Sequence, residues 1–245
     1  MNYAIILAGG IGQRMRNGGM PKQFLKLLGK PIIIHTLEKF NQNAEIDRIV
    51  VVCHGSYIDY MNKLIDMYKI EKVFSVVVGG SDRQSSLEHG LNAILENGGK
   101  KDDVVLIHDG VRPLVSDATI YENIRVAKMY GCAMTVHPVT ESVVITASET
   151  AKIENFKKRD DTYSLTSPQS FLLGDLKDAY GKIGQNSEKD GMPLLDAAMV
   201  FADAGKEVHL VKEQGTNIKV TTPDDYYILK TLLELEETKY IFGVK

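Results

Sequence analysis

The chain has 245 residues, enough for one large α/β domain with a sizeable core, and its 44% hydrophobic and 25% charged content is ordinary globular usage that argues against disorder. A net charge of -3 and a pI near 6.1 argue against a nucleic-acid coat or an anionic membrane surface, so any phosphate must be held by local cations and the expected partner is a small molecule. Cys53 and Cys132 lack CxxC spacing, and no leader or apolar run long enough for a bilayer is present, so the sequence reads as a soluble cytoplasmic protein with neither disulfide framework nor zinc knuckle.

The first element, Ile5-Ile6-Leu7, is a short buried strand that empties into Gly9, Gly10, Gly12, Gly18 and Gly19, with Arg14 and Lys22 as nearby cations. Without Cβ atoms such a loop can turn its N–H groups toward a polyphosphate; the plainer alternative is a glycine-rich surface turn with two solvated cations. It is not a Walker A loop, because Lys22 is preceded by Pro21 and followed by Gln23. A dinucleotide fingerprint also fails: Met15 stands where the third glycine belongs, and the second strand ends in Val51-Val52-Cys53-His54 with no acid for a ribose.

Strand and helix then alternate. The patterns predict helix 32–40, strand 49–52, helix 57–68, strand 73–78, helix 84–95, strand 104–107, helix 117–130 and strand 133–136. Short apolar strands joined by helical crossovers give a mostly parallel, Rossmann-like α/β sheet with helices on both faces, and ligands bind beyond the carboxyl ends of its strands. Three stretches stand at such ends or beyond them. Gly79-Gly80-Ser81-Asp82-Arg83-Gln84-Ser85-Ser86 opens a helix and is read as an anion site or as plain capping by Ser81 or Ser85. Asp109, in His108-Asp109-Gly110-Val111-Arg112-Pro113, is placed to hold Mg²⁺ against a nucleotide, or else caps its turn with Arg112 as partner. Farther on, 143–146 and 152–156 flank a polar tip at 147–151 and predict a projecting β-hairpin. Arg159 follows it beside Lys157 and Lys158, which read equally as a solvated basic turn. Thr222-Pro223-Asp224-Asp225 is an N-cap and first turn for a closing helix to about residue 237, a signal that leaves Lys219 unexplained.

Leu7-Ala8-Gly9-Gly10-Ile11-Gly12-Gln13-Arg14-Met15 and Met20-Pro21-Lys22-Gln23-Phe24 together resemble the signature loop of the sugar-phosphate nucleotidyltransferases, in particular the cytidylyltransferases acting on methylerythritol phosphate and ribitol phosphate. The resemblance runs through separated motifs from about residue 3 to 237 and leaves the tail 238–245 outside. It implies that Leu7, Ala8, Gly9, Gly10 and Gly12 wrap the CTP phosphates, with Gly80, Arg83 and Ser86 near the nucleotide. Arg14, Lys22 and Lys219 would act on the reacting phosphates and Asp109 on the metal, while His108 would be a structural partner. Arg112 would serve a substrate phosphate or the subunit contact, Arg159 the acceptor phosphate and Asp196 an acceptor hydroxyl. Glu141-Ser142 stands where those families have Asp-Thr, a pair expected near the acceptor.

The reading that follows is a single 1–245 domain with a β-arm at about 139–160 that clasps a second copy. Its expected chemistry is Mg²⁺-dependent transfer of CMP from CTP to a polyol phosphate. D-ribitol 5-phosphate is favoured by Leu7 to Gly10, by 32–40 and by Pro168-Gln169-Ser170-Phe171, and methylerythritol phosphate is the alternative. From other classes, an NAD(P)-dependent oxidoreductase or a non-catalytic nucleotide-binding protein would share the sheet.

Overall fold

Strand β1 (Asn2–Ala8) sits at the middle of the molecule because both of its faces are apolar and both have to be covered. Ala4, Ile6 and Ala8 are buried on one side, Tyr3 and Ile5 on the other. The computed structural model describes residues 1–10, 20–145, 155–183, 188–189, 192–193 and 196–242. In it β1 belongs to a seven-stranded sheet with β2 (Arg48–Cys53), β3 (Val73–Val78), β4 (Val104–Asp109), β5 (Cys132–Pro138), β6 (Tyr163–Leu172) and β7 (Leu210–Lys212). Their order across the sheet is β7-β5-β6-β4-β1-β2-β3.

β1 pairs in parallel with β2 on one side and β4 on the other, β2 with β3, and β5 with β7; β6 runs antiparallel between β4 and β5. The chain therefore leaves β1 in one direction and returns to its other flank. A crevice opens at that reversal, beyond the carboxyl ends of β1 and β4.

Helices α1 (Ile32–Gln42), α2 (Ile58–Met67) and α4 (Asp117–Tyr130) cover one face of the sheet, burying Leu37, Phe40, Leu64 and Ile124. Helices α3 (Arg83–Glu96), α5 (Leu173–Ile183) and α6 (Ala197–Asp203) cover the other through Leu91, Ile94, Leu176 and Phe201. Gly90 lets α3 lie close, since a Cβ there would sit 2.9 Å from Ile5 and 3.1 Å from Val52. The closing helix α7 (Pro223–Phe242) places Leu229 and Leu233 against Ile32, Val111 and Val220. Its start follows the sequence signal: Thr222 Oγ1 accepts from the Asp225 amide at 3.4 Å, and Asp225 Oδ2 accepts from the Thr222 amide at 2.8 Å.

The alternating elements expected from sequence stand within a few residues of their predicted bounds, and helix 117–130 matches. Two strands of the main sheet and one of its covering helices were not expected. β6 lacks an apolar run, and α5 and the three-residue β7 follow it without clear punctuation. The hairpin forms between Val143–Ile145 and Asn155–Lys157, while its tip and residues 152–154 lie outside the described residues. Among the described residues no helix is long and apolar enough to cross a membrane.

Candidate active site

The crevice beyond β1 and β4 is a cleft of about 340 Å³, within the range of small-ligand sites. Leu7, Ala8, Gly9 and Gly10 form its floor at the end of β1, and Gln23 fixes their course. That side chain is buried and its Nε2 donates to the carbonyls of Ala8 at 2.6 Å and Gly10 at 3.0 Å. This buried amide ties Gly10 to the end of β1. Lys22 precedes Gln23 and lines the same cleft.

The wall opposite is the start of α3. Asp82, and not Ser81 or Ser85, is its N-cap: Asp82 Oδ1 accepts from the Ser85 amide at 2.8 Å, and Ser85 Oγ accepts from the Asp82 amide at 3.2 Å. Ser86 turns the other way, and its Oγ accepts from the Gly80 amide at 3.0 Å. Gly80, Ser81, Asp82, Arg83 and Ser86 all face the cleft.

Asp109 ends β4 at the bottom of the cleft and gathers three cations. Its Oδ1 meets Arg83 Nη1 at 2.9 Å; its Oδ2 meets Lys219 Nζ at 3.0 Å and Arg112 Nε at 3.1 Å. Burial alone would raise the pKa of this carboxyl, but the charges of Arg83, Lys219 and Arg112 outweigh it and hold it far below the usual carboxylate range. Arg83 also reaches Asp196 Oδ1 through Nε at 3.3 Å, so one guanidinium bridges two acids. Burial works against the charge on Arg83, and Asp109 more than restores it.

Behind Asp109 the polar contacts turn inward. Arg112 donates from Nη1 to the Asn217 carbonyl at 2.7 Å and is nearly enclosed, at 11% exposure. His108 sits between Ser167 Oγ, 3.0 Å from Nδ1, and the Arg112 carbonyl, 3.0 Å from Nε2. Its burial pushes its pKa down to about 4, so the ring is neutral at physiological pH and acts as a strut.

The structure thus brings together Leu7, Ala8, Gly9, Gly10, Lys22, Gly80, Arg83, Ser86, Asp109 and Lys219 around one cleft, with Asp196 on its rim through Arg83. Arg112 stands behind Asp109, held by two internal contacts. Of the two readings for Asp109, the pairing with Arg112 is present, and the same carboxylate also lines the cleft. Glu141, Ser142 and Arg159 lie apart, at the base of the hairpin, where all three are exposed and Arg159 Nη1 donates to the Thr140 carbonyl at 3.4 Å. Gly12 and Arg14 lie outside the described residues. Sequence reasoning gave no role to Gln23, Ser167 or Asn217; the signal it had was a string of polar residues inside motifs, which become conspicuous only when found buried.

A sequence profile of the family IspD, 2-C-methyl-D-erythritol 4-phosphate cytidylyltransferase, matches residues 2–234. The chain belongs to this family. Cytidylyltransferases are nucleotidyltransferases that use CTP, which removes the oxidoreductase alternative. The cytidylyltransferase is 39% identical over 245 residues, all of both chains, to ribitol-5-phosphate cytidylyltransferase of Streptococcus agalactiae serotype Ia. It is 40% identical over 243 residues, 99% of this chain and 100% of the relative, to the protein of that name from Vibrio parahaemolyticus. Among solved structures, 4-diphosphocytidyl-2C-methyl-D-erythritol synthase of Anaerococcus prevotii superposes with a TM-score of 0.80 over 96% of each chain, at 24% identity. The 2-C-methyl-D-erythritol 4-phosphate cytidylyltransferase of Francisella tularensis does so at 0.76, over 94% of this chain and 98% of that one, with 29% identity.

Proposed function

We propose that this cytidylyltransferase transfers CMP from CTP to D-ribitol 5-phosphate, giving CDP-ribitol and pyrophosphate. The observation that carries the transfer chemistry is the convergence of Lys219 and Arg83 on Asp109 at the bottom of a cleft that Lys22 also lines. The choice of acceptor rests on full-length likeness to relatives named for ribitol 5-phosphate at 38–40% identity, against 22–29% for the solved structures named for the methylerythritol compound.

A phosphate monoester, with a second pKa of about 6, is already ionised at neutral pH and needs no general base. One of its oxygens forms a bond to the α-phosphorus of CTP; the bond from that phosphorus to its bridging oxygen breaks, and the bridging oxygen leaves with pyrophosphate. The work left to the protein is to hold two anions in line and to offset charge that builds on the phosphorus. In this reading Lys22 and Lys219 approach that phosphorus from opposite sides, and Arg14 adds charge from the glycine loop. The backbone of Leu7 to Gly10 and of Gly12 receives the phosphates, and Gly80, Arg83 and Ser86 hold the nucleoside end.

Mg²⁺ fits Asp109 as a cation that arrives with the nucleotide. A carboxylate has about four lone-pair positions, of which three are used here, and Mg²⁺ is commonly bound by one or two carboxylates plus phosphates. Among the described residues no group of three His, Cys, Asp or Glu side chains is placed to cage a metal without such phosphates. When bound, the ion neutralises the phosphates and the departing pyrophosphate. Asp109 would hold such an ion beside the phosphates, with Arg83 and Lys219 as flanking positive charges for the nucleotide.

The acceptor half is completed by a second copy. Val144, Ile145, Phe156 and Leu165 on and beside the hairpin are exposed apolar side chains, and Phe156 is 68% exposed. A C2 dimer covers them and carries Arg159, Glu141 and Ser142 toward the partner's cleft. Asp196 then serves an acceptor hydroxyl. Such a protein acts in the cytoplasm, where CTP is available.

Mg²⁺-dependent release of pyrophosphate from CTP, run side by side with D-ribitol 5-phosphate and 2-C-methyl-D-erythritol 4-phosphate, tests the proposal. Preference for ribitol phosphate is expected. Preference for the methylerythritol compound overturns the acceptor, and release with neither while CTP binds would leave a nucleotide-binding protein of other function.

A further inference from the structure

Lys219 stands on a stretch with no ladder to hold it. From Glu213 to Val220 the chain is neither helix nor strand, yet its lysine reaches Asp109 at 3.0 Å. Two anchors flank it. On the far side Val220 is buried under α7, and its amide donates to the Val111 carbonyl at 3.1 Å. On the near side the anchor is Asn217, which is buried and makes three polar contacts. Its carbonyl accepts from Arg112 as described, and its Nδ2 donates to the Ser167 carbonyl at 2.5 Å and to Glu213 Oε2 at 2.8 Å.

Glu213 is the point from which this anchor hangs. Its Oε1 accepts from Thr119 Oγ1 in the first turn of α4 at 2.9 Å, and its Oε2 accepts from Thr166 Oγ1 of β6 at 3.4 Å besides Asn217. Its own amide donates to the Val136 carbonyl of β5 at 2.9 Å. Among the described residues the donors to this carboxylate are neutral. Its two oxygens lie far enough apart to take the Thr119 hydroxyl on one side and the Asn217 amide and Thr166 hydroxyl on the other. Through it α4, β5 and β6 all bear on Asn217, the residue that also holds Arg112 against Asp109.

We infer that Glu213 is a positioning residue for cytidylyl transfer. It sets Asn217, and through Asn217 it fixes the start of the segment that presents Lys219 and the carbonyl that orients Arg112. The inference rests on the role given above to Lys219. An error of about 1 Å in the placement of a catalytic group costs on the order of 100-fold in rate, which is the scale on which a lost anchor two residues away acts.

The test is steady-state kinetics of Glu213→Ala, Glu213→Asp and Glu213→Gln with CTP and D-ribitol 5-phosphate, paired with a crystal structure of Glu213→Ala. In Glu213→Ala kcat is expected to fall roughly 10- to 100-fold while the KM for CTP stays within about 3-fold. Glu213→Gln keeps one oxygen for Asn217 and turns its NH₂ to the Thr119 hydroxyl, which can accept, so kcat returns to within about 3-fold of wild type. Glu213→Asp keeps the charge but is one methylene too short to span Thr119 and Asn217, and falls on the order of 10-fold; it serves as the damaged variant if alanine does not fold. Recovery by Gln and not by Asp is an ordering that a purely electrostatic or purely stabilising role does not produce. In the crystal the Lys219 to Asp109 contact is lost. Wild-type kcat in Glu213→Ala and Glu213→Asp, or an intact contact in the Glu213→Ala crystal, overturns the inference. Should wild type release no pyrophosphate, the functional reading falls by itself and the crystal still decides the placement of Lys219.

Discussion

The two ends of the proposed site are built differently. At the tips of β1 and β4 the groups are buried and interlocked: Gln23 holds the floor, Arg83, Arg112 and Lys219 converge on one carboxylate, and His108 and Ser167 brace it from behind. At the hairpin Glu141, Ser142 and Arg159 are exposed, and apolar side chains such as Phe156 face outward beside them. The difference teaches that one chain by itself interlocks the groups proposed for the nucleotide, whereas those proposed for the acceptor are left at an exposed surface. On the proposed function, groups that act on the triphosphate are positioned in advance, and those that select the acceptor would take their final geometry from a second copy packed on the hairpin.

The largest expected effect lies in the interlocked half. Lys219→Ala and Lys22→Ala are each predicted to lower kcat by about 100- to 1,000-fold, the usual loss when one preorganised charge donor to a transition state is removed. Wild-type turnover in either variant, measured by pyrophosphate release, would break the account of this half. Next comes Arg159→Ala, expected to raise the KM for the polyol phosphate by roughly 10- to 100-fold, the worth of one charge-assisted phosphate contact. The KM for CTP should not move, and a shift in both constants would mean that the two halves are not separable. Replacing Phe156 with Asp puts a charge on the apolar face of the hairpin. Sedimentation should then show a monomer that binds CTP as wild type does and turns over ribitol phosphate slowly.

The smallest effect is on stability. His108 has a folded-state pKa of about 4 against 6.5 for the free side chain, so the unfolded chain takes up its proton first as pH falls. Stability is fully present above pH 6.5 and declines as pH drops toward 4, by at most about 3 kcal/mol from this group. Asp109 stays ionised in the folded chain, so its contribution is full over most of this window and starts to fade only at the acid end, where the carboxyl of the unfolded chain takes up protons. A melting profile that declines across this range in wild type and is flatter in His108→Gln is expected; identical slopes would show that the ring is not the group being titrated.

The interlocked half was also the more legible in the sequence. Ile5-Ile6-Leu7, the glycines after it and the acid at the end of Val104 to Asp109 each carry a strong local signal, and the alternation of strand and helix places them on the same edge. What stayed hidden was β6. Its buried stretch contains Ser167, Gln169 and Ser170, which satisfy themselves by hydrogen bonds to His108, Ala198 and Asn123, so the strand lacks the hydrophobic signature that reveals its neighbours. For the same reason Asn217 and Glu213 were silent: a polar residue reads as surface until the partners that bury it are known. Arg112 was legible as a residue of the site but not as one facing inward. At the hairpin the sequence indicated two strands, and nothing local could indicate whether another surface packs on them.

Subunit complementation tests the central claim most directly. Lys22→Ala and Arg159→Ala chains, each nearly inactive at low ribitol phosphate, are mixed, dissociated and reassembled. If the nucleotide half of each site comes from one chain and the acceptor half from the other, hybrid dimers carry one intact site, and activity returns to roughly a quarter of wild type for random C2 pairing. No recovery in demonstrably mixed dimers would contradict the account and place both halves of the site in a single chain.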